Sequence, residues 1–336
     1  MILRPLQLIY EWGSDLKNKL YDSNFIQKID VGVPVISVGN ISVGGTGKTP
    51  CVLLLANSYL AAGYQRIVIV SRSYKGSLKT PQKVDLMNPK ATQIFGDEPC
   101  LLQSLLPQCS VWSGPVKYKT ALQAVAFEKP DLVIIDDGFS HRKLARQFDL
   151  VLVDSTAPLN YFQPLPIGRL RESLRQLGRA DAILLTKTNL SEDEKILKLS
   201  QIILKHAPQL KTSLYKSKLI LQMGSLQAER DPLFVFCGLG RPESFKSALE
   251  KEKFQVVEFR KFPDHHHYSA SEIDDIVRHY RELLVQMPGL KLVTTAKDLI
   301  KIQDPVIKEH LQGVDYRVEI DSNTRSEFFE KIGRHL

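Results

Sequence analysis

Cysteine is scarce in this chain. The four present, Cys51, Cys100, Cys109 and Cys237, form no Cys-x-x-Cys pair, so neither a zinc knuckle nor a dithiol redox motif is indicated. Cys51 and Cys237 lie in apolar runs and are expected to pack as small hydrophobes in a reducing compartment. No run approaches the roughly 18 apolar residues of a membrane-spanning helix, and no signal peptide is evident. Internal repeats and low-complexity tracts are missing too, which argues against a solenoid or a disordered chain. His265, His266 and His267 are consecutive. Three adjacent side chains cannot all face one metal from a helix or strand, so a catalytic imidazole is the better reading than a metal site.

What is present is an ordinary globular composition, 43% hydrophobic and 24% charged over 336 residues, enough for about two domains. The net charge of +8 suggests an anionic counterpart: phosphate, nucleic acid or a membrane surface. No nucleic-acid reading module or interleaved aromatic pattern accompanies it, so no nucleic-acid partner is expected.

The chain is organised around Val35 to Pro50. An apolar run reads as a buried strand. Gly44, Gly45, Thr46, Gly47, Lys48 and Thr49 follow, and then an apolar helix through Val52, Leu55 and Leu60. Strand, glycine-rich turn and helix N-terminus in that order form a phosphate-binding loop. Its backbone N–H groups converge on an anion, Lys48 adds a cation, and the Thr49 hydroxyl stands where nucleotide-bound Mg²⁺ would sit. The first glycine of the usual motif is replaced by Ser42.

Strand–helix alternation continues to the end, which predicts parallel sheet covered on both faces. A second strand ends near Arg72. Gly96-Asp97-Glu98-Pro99 opens a helix, where a carboxylate is favoured by the dipole and Asp97 reads first as a cap. The run Leu132 to Ile135 ends in Asp136-Asp137, an acidic pair of the type that holds Mg²⁺ directly or through water. His141 follows, either assisting catalysis or bonding the turn. Arg169, Arg171, Arg175 and Arg179 cluster as a phosphate-binding or solvated basic segment. Thr186-Lys187-Thr188-Asn189 lacks the Asp of a guanine-reading segment, which favours ATP. Residues 1–21 place Ile2, Leu6, Ile9, Leu16 and Leu20 on one helical face, with Arg4, Lys17 and Lys19 adding positive charge and Ser14, Asp15 and Asn18 opposite. Such a helix either packs on its own domain or lies in a bilayer interface.

The ordered set resembles the tetraacyldisaccharide 4′-kinase family. It comprises Val43 to Pro50, Gly96 to Pro99, Asp136 to Phe139 with His141, Leu170-Arg171-Glu172, Gly240-Arg241-Pro242, Phe262 to His266, and Thr294-Thr295 with Lys297-Asp298. Departures are Ser73 and Lys75 in a usually glycine-rich segment, Ser140 for Gln and Ser173 for Pro. The resemblance implies a P-loop NTPase-like α/β/α sandwich and a second, smaller α/β lobe joined by a β-ribbon. The corresponding division is 1–210 for the kinase lobe, 211–300 for the second lobe and 301–336 for a segment returning to the first. It implies transfer of the ATP γ-phosphoryl to the 4′-hydroxyl of a tetraacyldisaccharide 1-phosphate. Lys48 and the loop amides would hold phosphate, with Thr49 and Asp136 on Mg²⁺. Asp137 would share the metal or orient the acceptor, and Arg72 and Arg171 would engage phosphate or sugar. Asp97 becomes the proton acceptor, tuned by His265; burial and the imidazole are expected to bring its basicity nearer neutral pH. The amino-terminal helix would then meet acyl chains and an anionic membrane. The expected location is peripheral, on the cytoplasmic face of the bacterial inner membrane, with no obligate protein partner. The contrasting reading is a nucleotide-switch or metallochaperone-type NTPase. Such proteins carry a signature Lys where Val43 stands and often a Cys-x-x-Cys site.

Overall fold

The computed structural model describes residues 3–74, 76–302 and 304–336, without the side chains of Leu3, Ile9, Pro305 and Val306. Each strand pairs where its apolar run requires. In the first half, β1 (Val35–Asn40), β2 (Ile67–Arg72), β3 (Gln82–Lys83), β4 (Ser110–Gly114), β5 (Leu132–Asp136), β6 (Phe148–Asp154) and β7 (Ala182–Thr186) assemble in the order β7-β6-β1-β5-β2-β4-β3. All neighbours are parallel except the short edge pair β3 and β4. The parallel strands are near-continuous apolar runs because both faces are covered. On one face Ile36, Ile69 and Ile134 meet the helix Lys48–Ala61 through Val52 and Leu55. On the other, Val35, Val70 and Val133 meet Ala121 and Ala124 of the helix Lys117–Glu128.

The second half repeats the plan on a smaller scale. β9 (Leu233–Cys237) lies between β10 (Val256–Lys261) and β11 (Lys291–Thr295), all parallel. Leu233, Val235 and Cys237 pack on Phe245 and Leu249 of the helix Pro242–Lys251. Phe234 and Phe236 point the other way, to Ile273 and Ile276 of the helix Ala270–Gln286. Ser269 opens that helix with a capping box closed by Glu272.

Two long strands join the halves. β8 (Leu214–Gln222) runs parallel to β7 over its first three residues and then antiparallel to β12 (Leu311–Ile320). The first four residues of β12 pair with β11, and the rest pair with β8. A two-stranded ribbon therefore fuses both halves into one 12-stranded sheet. Ile302, Ile307 and Leu311 pack in the second half, whereas Phe328 and Ile332 of the helix Arg325–Gly333 return to the core of the first.

Parallel strands put the ends of β1, β2 and β5 at one edge, where α/β sheets place their ligand crevices. The turn after β1, the Asp136-Asp137 turn and Arg72 all stand there.

Candidate active site

The glycine-rich turn is shaped by two left-handed positions, Gly44 (φ +124°) and Gly47 (φ +87°), the second directly preceding the helix Lys48–Ala61. A β-carbon would be strained at either. Ser42 is not among the positive-φ residues, so replacing the first glycine by serine costs the loop nothing. It instead forms an isolated bridge with Leu170. Asn40 donates to the Thr46 hydroxyl (3.0 Å), and Thr186 donates to the Thr46 carbonyl (2.9 Å), so buried polar groups brace the turn from beneath. Lys187 ties the Gly45 carbonyl to Asp154, each at 2.6 Å.

Asp136 and Asp137 are neighbours with opposite electrostatics. Burial pushes the Asp136 carboxyl up, although Lys117 and Lys48 oppose it. Its Oδ2 accepts from Ser71 at 2.9 Å, while its Oδ1 is buried without any partner. Burial alone would raise Asp137 as well. Here the Arg171 hydrogen bonds, reinforced by Lys48 and Lys117, win and hold the carboxyl far below the usual range. Arg171 donates to both Asp137 oxygens (2.8 and 3.2 Å) and to Asn40, and Lys48 Nζ lies 3.6 Å from Asp137. Asp137 is also left-handed at φ 52°, a strained position of the kind that collects at functional sites.

The Asp136 orphan oxygen fits a divalent cation. A hard cation takes oxygen ligands, the Thr49 hydroxyl belongs to the adjoining loop, and Asp137 is already committed to cations. No group of three or more His, Cys, Asp or Glu suited to a metal occurs among the described residues, so such an ion would draw on phosphate and water for its other ligands.

Ser42, Val43, Gly44, Lys48, Arg72, Tyr74, Glu98, Lys117, Asp136, Asp137 and Arg171 line a cleft of about 300 Å³. At its far side the two halves meet. Asp97 opens the helix Asp97–Leu105 and is buried. His265 Nδ1, from the loop after β10, lies 2.9 Å from Asp97 Oδ2 although 168 residues separate them. His265 is left-handed at φ 62°, its ring 6.1 Å from that of Tyr74 in the cleft wall. The LpxK family, tetraacyldisaccharide-1-P 4′-kinase, matches residues 1–336. The chain belongs to the tetraacyldisaccharide 4′-kinase family.

Relatives agree with this along the whole chain. A tetraacyldisaccharide 4′-kinase of Bdellovibrio bacteriovorus is 36% identical over 312 residues, covering 90% of this chain and 89% of its own. One from Desulfotalea psychrophila is 34% identical over 308 residues, covering 89% and 86%. The crystal structure of Aquifex aeolicus LpxK in complex with ATP superimposes with a TM-score of 0.74 at 30% identity, over 98% of this chain and 97% of that one. The switch-type NTPase reading is therefore not favoured.

One expectation fails against the geometry of this kinase fold. Burial does raise the Asp97 carboxyl, but the His265 hydrogen bond with the Lys301 and Lys297 charges outweighs it, and the net direction is downward. Lys301 Nζ is 3.4 Å from Asp97. Asp97 is thus a firmly ionised carboxylate rather than one brought nearer neutral pH. Arg171, expected to grip phosphate or sugar, spends its donors on Asp137 and Asn40, whereas Arg72 is exposed at the end of β2 beside the cleft.

Sequence reasoning missed Glu98, Lys117 and Lys301. Glu98 is pushed up by burial and by Asp136. Lys117 Nζ is buried and donates to the Asp136 and Asp137 carbonyls at 2.6 and 2.5 Å, and burial brings its pKa down to about 8. Glu98 stood next to a recognised residue, which was a usable signal. Nothing distinguished Lys117 or Lys301 from other lysines.

The amino-terminal helix Leu3–Asp22 docks by its polar side. Asn18 is buried and bonds Arg142, Asp15 accepts from Gln176, and the Tyr10 hydroxyl donates to the Arg171 carbonyl at 2.8 Å. The apolar side faces out: Leu6 is 52% exposed, Leu8 63% and Trp12 68%. Ile2 and the Ile9 side chain, expected on that stripe, lie outside the described residues. So does Lys75, one of the departures from the family pattern. Ser173 reaches Asp15 at 3.5 Å.

Proposed function

We propose that the cleft transfers the γ-phosphoryl of ATP to the 4′-hydroxyl of tetraacyldisaccharide 1-phosphate, with the residues in the following roles. The loop amides and Lys48 bind the β- and γ-phosphates. Binding moves Lys48 off Asp137, to which it is only loosely paired. Thr49 and Asp136 would hold Mg²⁺, whose chemistry is to bridge and neutralise phosphate oxygens. Lys117 and Arg171 act on the protein, the first holding the carbonyls of the acidic turn and the second fixing the Asp137 carboxylate that orients the acceptor. Arg72 takes anionic groups of the incoming substrates.

The proton of the sugar hydroxyl goes to the Asp97–His265 pair. Ionised Asp97 accepts from Nδ1–H, which fixes the neutral imidazole and leaves its Nε2 as the lone-pair nitrogen. Lys297 Nζ sits 3.3 Å from that Nε2. Phosphoryl transfer forms little bond to the nucleophile at its transition state, so positioning matters more than base strength, and a depressed carboxyl is no obstacle. The observation that carries this reading is the contact of His265 from the second lobe with Asp97 at the edge of a phosphate-loop cleft.

The outward apolar side of the amino-terminal helix, beside Arg4 and Lys19, meets acyl chains and anionic headgroups. No described helix is long and apolar enough to cross a membrane. This places the enzyme as a peripheral protein at the cytoplasmic face of the inner membrane, acting without an obligate protein partner. The test is ATP-dependent phosphorylation of purified tetraacyldisaccharide 1-phosphate in mixed micelles. A labelled product phosphorylated at the 4′ position is expected; ATP hydrolysis independent of the lipid would contradict the reading.

A further inference from the structure

Asp298 is the most completely enclosed carboxylate near the cleft, with 0% of its side chain exposed. Within the second lobe it closes the turn after β11, accepting from the Gly238 amide at 2.9 Å and the Thr295 hydroxyl at 2.7 Å. Its other oxygen meets Lys301 Nζ at 3.0 Å. The Lys301 side chain is itself only 1% exposed, and the same ammonium reaches Asp97 of the first lobe at 3.4 Å. The helix Asp97–Leu105 packs directly on the helix Ala296–Leu299 at this point. One buried cation is therefore shared between a structural carboxylate of one lobe and a site carboxylate of the other. We propose that Lys301 is a positioning residue for the transfer, a buried ammonium anchored on Asp298 that holds Asp97 ionised and aligned on His265 across the lobe boundary.

Simple burial of Asp298 does not require this arrangement, because two donors already satisfy one oxygen and a polar neutral group would satisfy the other. What a cation adds is a field on Asp97. The charged and titratable groups facing Asp97 are few: His265 from the loop after β10, Lys301 and Lys297 from the segment after β11, and Cys100 one turn along its own helix. Lys297 is partly exposed and is also engaged by Asp264 and His265. Lys301 is the buried one, screened least by solvent. With it removed, burial would dominate and Asp97 would take up a proton at higher pH, losing its hold on the Nδ1–H of His265. This inference rests on the reading of Asp97 and His265 as the proton-accepting pair.

The experiment uses the full chain with the lipid acceptor in mixed micelles, and compares Lys301→Arg, Lys301→Met and the double variant Lys301→Met/Asp298→Asn. The double variant avoids leaving Asp298 as an unpaired buried charge. In the two neutral variants the acidic limb of kcat/KM is expected to move up by about one to three pH units, the shift a nearby opposite charge produces. The loss at pH 6 then exceeds the loss at pH 8 by about tenfold or more, with KM for ATP nearly unchanged. Lys301→Arg should keep the limb in place. A loss that is uniform across pH, with the limb unmoved, would mean Lys301 only packs the lobe and would overturn the inference. Should the neutral variants fail to fold, a carboxyl ¹³C titration of the unaltered protein, with Asp97 assigned through Asp97→Asn, decides. Asp97 titrating at or above the ordinary carboxylate value contradicts the inference, and a depressed value supports it. Undiminished transfer by Asp97→Asn would instead remove the proton-acceptor reading, and the ¹³C titration would still report whether Lys301 sets the charge of Asp97.

Discussion

Asp136 and Asp137 differ by one residue and end with their carboxyls driven in opposite directions, one by burial and the other by Arg171 and two lysines. Environments that split like groups in this way assign roles: the orphan oxygen of Asp136 suits a cation, and the clamped Asp137 suits orientation. Lys48→Ala removes the loop's point charge and is expected to lower kcat about 10²–10³-fold, comparable with loss of one transition-state donor. Steady-state rates with saturating lipid check it, on protein whose circular dichroism is unchanged. His141 yields a pH prediction. Burial, with Lys117 nearby, lowers its pKa to about 3, against roughly 6.5 in an unfolded chain. The unfolded state therefore binds the extra proton first, and stability should fall as pH drops from about 6.5 towards 3. Urea denaturation at pH 7 and pH 5 measures this, and His141→Gln should flatten the slope. The phosphate loop and the acidic pair were legible because strand, glycines, Lys48 and Thr49 come in a fixed order. Which aspartate stays open was not legible, since that depends on Arg171 arriving from a segment 34 residues away.

Among the elements, the helix Leu3–Asp22 separates pattern from placement. Its 3.6-residue stripe was readable, but a stripe does not say whether it faces core or solvent. The answer lies in Asn18, Asp15 and Tyr10, polar residues that find partners on Arg142, Gln176 and Arg171 and so turn Trp12 and Leu8 outward. Trp12→Glu is expected to weaken sedimentation with anionic vesicles severalfold, since a burying indole is replaced by a charge of the wrong sign. ATP affinity should stay within about twofold, because the substitution lies outside the phosphate loop. Undiminished vesicle binding would remove the helix from the membrane reading. The strands were legible as apolar runs, with the exception of β12. Its sequence mixes Asp315, Arg317 and Glu319 with Val314, Val318 and Ile320, since half of it lies in an exposed ribbon.

At the scale of the whole molecule, the sheet is continuous but its two cores are separate, and only β8 and β12 carry backbone pairing between them. The lobes then meet a second time through side chains, where Asp97, His265, Lys297 and Lys301 gather. No local pattern in the sequence brings residue 97 to residue 265. That pairing was readable only through the family resemblance, and the buried Lys301 beside it was not readable at all. The central claim is that the lobes jointly build one proton-accepting unit. Its most direct test is a four-enzyme cycle of the unaltered chain, Asp97→Ala, His265→Ala and the double variant, measuring kcat with the lipid acceptor and ATP affinity separately. Each single change is expected to lower kcat strongly with little effect on ATP binding, and the double variant to lose far less than the product of the two, as residues acting as a unit do. Fully multiplicative losses, or an unaffected Asp97→Ala, would contradict it.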